Sequence, residues 1–295
     1  MSTLRRKKIP MGQVGLHIFF ILLSLCYILP LWLLIAVSFD AESSGSHFAL
    51  WPETFSLASY EMVFNNPQQI VRAYGVTFSY SVLSVALSLI IMVPIAYALS
   101  RRNFRLRGPI TFILFFTTLF SGGMVPSYLL NSKLGLVDSF WIYVIPGLVS
   151  AWNVIVIRTY FQGLPGELFE CARLDGASEL GTCFRIAVPL STPVLASVGF
   201  LRFIGEWNQW STTEVYIRNP KLYSLQYLMQ SLLKDLEMIK QLMESGMGGY
   251  DETVIQNLES MRFSMAVVAA GPALVIFPFF QKYFKKGMTI GSVKG

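Results

Sequence analysis

The chain has 295 residues, 54% of them hydrophobic and only 14% charged, with a mean hydropathy of +0.53. That balance excludes an ordinary soluble domain or a disordered chain and requires an integral membrane protein. The net charge of +6 collects beside apolar segments, and no basic patch interleaved with aromatic residues lies elsewhere, so nucleic acid is excluded as a partner.

Six apolar stretches approach the ~20 residues that a helix needs to cross a bilayer. They are placed at 16–38, 74–99, 109–130, 141–161, 193–211 and 262–283. The first is too long for a cleaved signal, and no small-x-small cleavage site follows it. Arg5, Arg6, Lys7 and Lys8 before it, Arg101, Arg102, Arg105 and Arg107 after the second, and Lys282, Lys285, Lys286 and Lys294 at the end place both termini in the cytoplasm. The segment from Asp40 to Asn66 carries Asp40, Glu42, Glu53 and Glu61 and no Lys or Arg, as suits an external loop. In the third stretch Gly122-Gly123 with Pro126 should loosen or break the helix, which membrane depth tolerates only where protein or a cavity satisfies the backbone.

Between the fourth and fifth stretches lies a piece too polar to cross a bilayer, 164–192. Pro165-Gly166 precede a short helix over Glu167 to Leu174 with acidic residues in its first turn, where they complement the helix dipole. Asp175-Gly176 stops it, because glycine adopts the left-handed backbone that ends helices, and Ser178-Glu179 restarts it at an angle. Glu167, Glu170, Asp175 and Glu179 outnumber Arg173 and Arg185 against the usual cytoplasmic bias, which a basic docking surface on a partner explains.

The fifth stretch is the most polar. Arg202 and Glu206 are four residues apart and share a helix face, while Trp207, Asn208, Gln209 and Trp210 close its outer end. At ~1.5 Å per helical residue, Asn153 falls roughly 18 Å into the fourth stretch and Glu206 roughly 20 Å into the fifth. Ionisable groups at that depth face protein or water, so they read either as a pore wall or as an internal ion pair beside an interfacial aromatic belt. The loop 211–261 is expected outside, with Leu225, Leu228, Met229, Leu232, Leu233, Leu236 and Ile239 forming an amphipathic helix and Gly246, Gly248 and Gly249 following it.

Chemistry is bounded by absences. No Gly-x-x-x-x-Gly-Lys-Ser/Thr phosphate cradle, Gly-x-Ser-x-Gly elbow or His-Glu-x-x-His helix occurs. Cys26, Cys171 and Cys183 fit neither a disulfide framework nor a metal spacing, and His17 and His47 stand far apart. These observations disfavour an enzyme and a proton-driven carrier. A stand-alone channel or secondary carrier, a membrane-embedded transferase and a non-transporting scaffold stay as alternatives.

Glu170-Cys171-Ala172, Asp175-Gly176-Ala177 and Ile186-Ala187-Val188-Pro189 resemble the Glu-Ala-Ala…Gly…Ile-x-Leu-Pro pattern of permease subunits of ABC importers, with Cys171 and Val188 as departures. Ala96 to Arg101, Phe120 to Tyr128, Glu206-Trp207-Asn208 and the tail Lys286 to Gly295 resemble the carbohydrate branch, and in particular permeases for oligosaccharides and polysaccharide fragments. The resemblance implies an all-α membrane protein of type I importer fold, a single permease domain over 1–295 with six transmembrane helices and cytoplasmic termini, in the bacterial cytoplasmic (inner) membrane. It implies pairing with a second homologous permease, two ATPase subunits that carry ATP and magnesium, and an external sugar-binding protein, with no cofactor or metal on this chain. Glu170, Cys171, Ala172, Asp175, Gly176, Ala177, Ile186 and Pro189 would couple to the ATPases. Asn153, Arg202, Glu206, Trp207, Asn208, Gly122, Gly123 and Tyr128 would line the sugar's route.

Overall fold

The computed structural model of the protein describes residues 11–40, 50–52, 54–245, 259–272, 276, 278 and 281. Helices dominate, and among the described residues extended pairing is confined to an isolated antiparallel bridge between Asp40 and Phe55. The basic N-terminal and C-terminal flanks, Gly246, Gly248 and Gly249 lie outside the described residues.

The chain divides into two units, 1–67 with 231–270 and 68–230 with 271–295. In the first, α1 (Met11–Ser38) matches the first predicted span. Its most apolar 18-residue window is wholly unburied within the chain. Its end is tied down: Ser38 Oγ shares a 2.8 Å hydrogen bond with the Tyr60 hydroxyl of α2 (Ala58–Val63), and Ser264 Oγ donates to the Ser38 carbonyl at 3.2 Å. Residues 259–272, with 276, 278 and 281, are helical and include the described part of the sixth predicted span. The predicted amphipathic helix is α12 (Leu225–Glu244), and its Lys240 pairs with Glu259.

The second unit is organised on α3 (Pro67–Ser100), 34 residues or about 51 Å of helix. Toward its end, Met92, Val93, Ala96, Tyr97 and Leu99 pack with Val154, Ile157 and Phe161 of α6 (Ala151–Gln162), with Phe169 and with Leu195 and Val198 of α10 (Thr192–Trp207). Nearer its start, Tyr80 sits in a second cluster with Ile142, Tyr143 and Ile217.

The remaining spans are less regular than the apolar runs suggest. Residues 107–133 form α4 (Arg107–Leu119) and α5 (Met124–Lys133), bent by 119°. The break falls at the expected glycines, and Gly123 takes the left-handed φ of 86° that caps α5. The expectation of one helix across 141–161 is corrected. A single tight turn, Phe140–Tyr143, is followed by non-helical backbone until Ser150. Pro146 has no N–H to donate and Gly147 adds backbone entropy, and the helix restarts only where Ser150 Oγ accepts the Asn153 amide at 3.4 Å. Asn153 is therefore the third residue of α6, not a residue twelve places along a continuous span. Among the described residues two helices, Gly12–Ser38 and Pro67–Ser100, are individually long and apolar enough to cross a bilayer, and four spans result if each bent pair counts as one.

Where α10 ends, Trp207 is 1% exposed, stacked on Phe203 at 5.8 Å and tilted against Tyr74 at 6.3 Å. Trp207→Ala should open a cavity costing about 3–5 kcal/mol, read as a lowered Tm of the purified protein in detergent; Trp207→Phe should recover most of it.

Candidate functional site

The polar piece folds as its local chemistry dictates. α7 (Gly166–Leu174) starts after Pro165 with Glu167 in its first turn. Gly176 takes φ 75°, and its amide donates to the Arg173 carbonyl at 3.0 Å while the Ala177 amide reaches back to Ala172 at 2.9 Å. These are the two bonds that close a helix through a left-handed glycine. Ser178 then caps α8 (Glu179–Thr182): its Oγ accepts the Gly181 amide at 3.1 Å. A wide helical turn over Cys183–Ala187 leads into α9 (Val188–Leu190), where Pro189 can offer no amide.

Tertiary contacts that the sequence pattern does not announce fasten this double helix to α3. The Arg101 guanidinium lies 3.6 Å from the Phe169 ring centroid and 4.4 Å from that of Tyr97. Its Nε and Nη2 are enclosed with no hydrogen-bond acceptor, so the two π faces are what hold it. Burial lowers the Arg101 pKa, yet a guanidinium keeps its charge. The Tyr97 hydroxyl donates to Glu179 Oε2 at 3.0 Å, and Arg173 pairs with Glu179 Oε1 at 3.2 Å. Tyr97 and Arg101 are four residues apart, the one signal by which sequence reasoning could have found them.

The fastening sorts the residues expected to couple by exposure. Ala172 is buried with Phe169 and Ile186 is half-buried, whereas Glu170, Cys171, Asp175, Gly176, Ala177 and Pro189 face outward. Beside them stand Leu174, 88% exposed, and Leu180, 66% exposed. Both are large apolar side chains held open at the helix bend. Sequence reasoning stressed the carboxylates and missed this apolar centre.

The fifth-span residues form a second constellation. Arg202 Nη2 lies 3.1 Å from Glu206 Oε1, with side chains only 9% and 17% exposed. Ser84 of α3 joins both: its Oγ accepts from Arg202 at 2.7 Å and lies 3.2 Å from the Glu206 carboxylate. The irregular segment passes so close that a Cβ on Gly147 would meet Arg202 Nη2 at 3.1 Å. The Tyr80 hydroxyl donates to the Glu206 carbonyl at 2.9 Å and its ring stacks on Tyr143 at 4.4 Å. The Tyr143 hydroxyl contacts Thr213 Oγ1 and the Leu222 carbonyl, each at 2.8 Å. Of the two readings open for Arg202 and Glu206, the geometry is that of an internal ion pair.

The other route residues are scattered. Asn208 is exposed and accepts from Gln226 at 3.2 Å. Asn153 is half-buried at the start of α6. Gly122 and Gly123 are exposed at the α4–α5 bend, and half-buried Tyr128 stacks on Tyr216 at 5.7 Å. Trp207 faces the core, so this chain does not offer its ring to a passing molecule. Sequence reasoning missed Ser84 and Gly147; Thr77, Ser81, Ser84 and Ser88, buried at helical spacing in an apolar span, carried the signal for the former.

Removing one member of a buried pair strands the other charge, at about 3–5 kcal/mol. Arg202→Met should therefore lower Tm more than Arg202→Met combined with Glu206→Met, a coupling measurable by a double-mutant cycle in detergent. Additive losses would mean that the two side chains act separately.

The family described as binding-protein-dependent transport system inner membrane component matches residues 11–290. Protein LplC of Bacillus subtilis (strain 168) is 36% identical over 272 residues, covering 91% of this chain and 90% of that one. The polygalacturonan/rhamnogalacturonan transport system permease protein YtcP of the same organism is 34% identical, covering 94% and 96%. Among solved structures, a bacterial ABC transporter involved in the import of the acidic polysaccharide alginate contains a chain with a TM-score of 0.76 and 28% identity, covering 93% of this chain and 96% of that one. By the length of the match, the helical fold and these relatives, the chain belongs to the binding-protein-dependent inner membrane components, the permease subunits of ABC importers of type I fold.

Proposed function

We propose that this chain is one half of a heterodimeric permease in the bacterial cytoplasmic (inner) membrane, crossing it six times with both termini in the cytoplasm. It passes an oligosaccharide delivered by an external sugar-binding protein. Two separate ATPase subunits, holding ATP and magnesium, drive it through the 164–192 elbow, and this chain performs no covalent chemistry.

The observation that carries this reading is the bent elbow with Leu174 and Leu180 open to solvent and Glu170 and Asp175 beside them. Its apolar centre supplies contact area and its acidic rim orients a basic partner surface. When the ATPase pair closes it draws this elbow and its counterpart on the second permease together, and the Arg101–Phe169 and Tyr97–Glu179 contacts hand that motion to α3 as a rigid body. Midway along its length α3 holds α10 through Ser84 and Tyr80, so the displacement reaches the level of Asn208 and Tyr128.

The sugar's path draws on Asn153, Asn208, Gly122, Gly123 and Tyr128, with Arg202 and Glu206 setting the position of α10 rather than gripping the solute. The named cargoes of the relatives, polygalacturonan, rhamnogalacturonan and alginate, support an oligosaccharide of acidic character. Arg202 is already engaged by Glu206, so the counter-charge for a uronate comes from another group.

Gly176→Val puts a β-branched side chain at a φ that such residues rarely adopt, whereas Gly176→Asn tolerates it. In the reconstituted importer, binding-protein-stimulated ATP hydrolysis should fall by about tenfold or more in the valine variant, a loss of at least 1.4 kcal/mol of coupling, and stay near wild type in the asparagine variant. Full stimulation in Gly176→Val would refute the role given to the elbow, and uptake without any ATPase subunit would favour an ATP-independent channel or carrier.

A further inference from the structure

Beside the elbow, the loop after α3 and the start of α4 enclose a groove of about 720 Å³, lined by Arg101, Arg102, Arg107 and Arg173 with Gln162 and Glu170 among the remaining wall. Its lining thus holds four arginines and one carboxylate residue. Arg173 is already paired with Glu179, but among the described residues no carboxylate lies within ion-pair distance of Arg101, Arg102 or Arg107, and Arg158 of α6 adds a further repulsive charge near Arg107. Such a gathering of like charge opposes itself unless an anion sits among it. Solvated flanking arginines would splay apart, yet Arg101 is fixed between two rings and Arg158 is held by its bond to Thr111 Oγ1 at 3.2 Å.

Depth identifies the anion. Ser100 closes the apolar span Pro67–Ser100, and Arg107 opens the apolar helix α4. Because α4 turns apolar within one turn of Arg107, its start is where that helix leaves the hydrocarbon, which sets the groove beside it at the level of phosphate headgroups. Below it α4 shows Phe112, Ile113, Phe115 and Phe116, each about half or more exposed, a surface on which acyl chains can lie. We propose that this groove binds the phosphate of an anionic phospholipid, with guanidinium groups on its oxygens and the lipid tails along α4. Arg102 and Arg107 supply the free charge, and the shape comes from Phe161, Phe169 and the stacked Arg101. The reading is independent of the transported solute.

The test is native mass spectrometry of the full-length protein, purified in detergent with its associated subunits and incubated with dioleoyl phosphatidylglycerol or dioleoyl phosphatidylcholine. Wild type should retain the anionic lipid about tenfold more, a preference that the Arg102→Gln, Arg107→Gln double variant reduces to near one and that Arg218→Gln, outside the groove, leaves intact. If the double variant cannot be purified, the same selectivity should vanish for wild type in ~0.5 M KCl, where exposed charges are screened. Equal retention of both lipids by wild type, or unchanged selectivity in the double variant, would overturn the proposal. Displacement of the lipid by inorganic phosphate would make the groove a site for free anions, and absence of retained lipid in the assembled complex when the chain purified without its ATPase subunits does retain it would make the groove a protein contact; either overturns it.

Discussion

Polar groups carried into an apolar layer must be answered from within the protein, and here α3 answers many of them. Ser84 bonds the Arg202–Glu206 pair, Tyr80 bonds the carbonyl at which α10 ends, and Thr77 Oγ1 accepts the amide that opens α12 at 2.9 Å. At the far end the same helix supplies Tyr97 to Glu179 and leads straight into Arg101. Hydrogen bonds to charged groups are worth about 1.5–3 kcal/mol each in favourable settings, and leaving such groups unanswered costs more. The helix therefore fixes both the elbow and the polar end of α10 by one requirement.

That arrangement explains where the chain departs from straight helices. The bends fall at Gly122-Gly123, at Pro146-Gly147 and at Ser191. At Gly147 the reason is visible in the packing, because the absent side chain leaves room for the Arg202 guanidinium. The irregular backbone and the buried ion pair are thus one construction: the first yields the space in which the second is desolvated.

The elbow was legible in the sequence because its determinants are local. A left-handed glycine, a serine cap and a proline act on neighbours within four residues, and Gly176, Ser178 and Pro189 do so here. The i, i+4 relation of Arg202 and Glu206 was legible for the same reason. What decided between pore wall and internal pair was Ser84, 118 residues away from Arg202, and no short-range pattern carries that. The fourth span's departure from a continuous helix is not legible in composition, because an apolar run has the same composition whether helical or not, and only the Pro146-Gly147 punctuation within it marks the break. The clasp of Arg101 on Phe169 escaped for the opposite reason: an arginine after a membrane span already had a sufficient explanation in membrane topology.

Leu174 and Leu180, open on the elbow, have one further consequence. A junction centred on two leucines gains its strength from the release of water, and that contribution weakens on cooling, whereas the Glu170 and Asp175 rim responds mainly to ionic strength. If the elbow docks as proposed above, transmission across it would be thermally graded, loosest in the cold, even with the helices on either side keeping their shape.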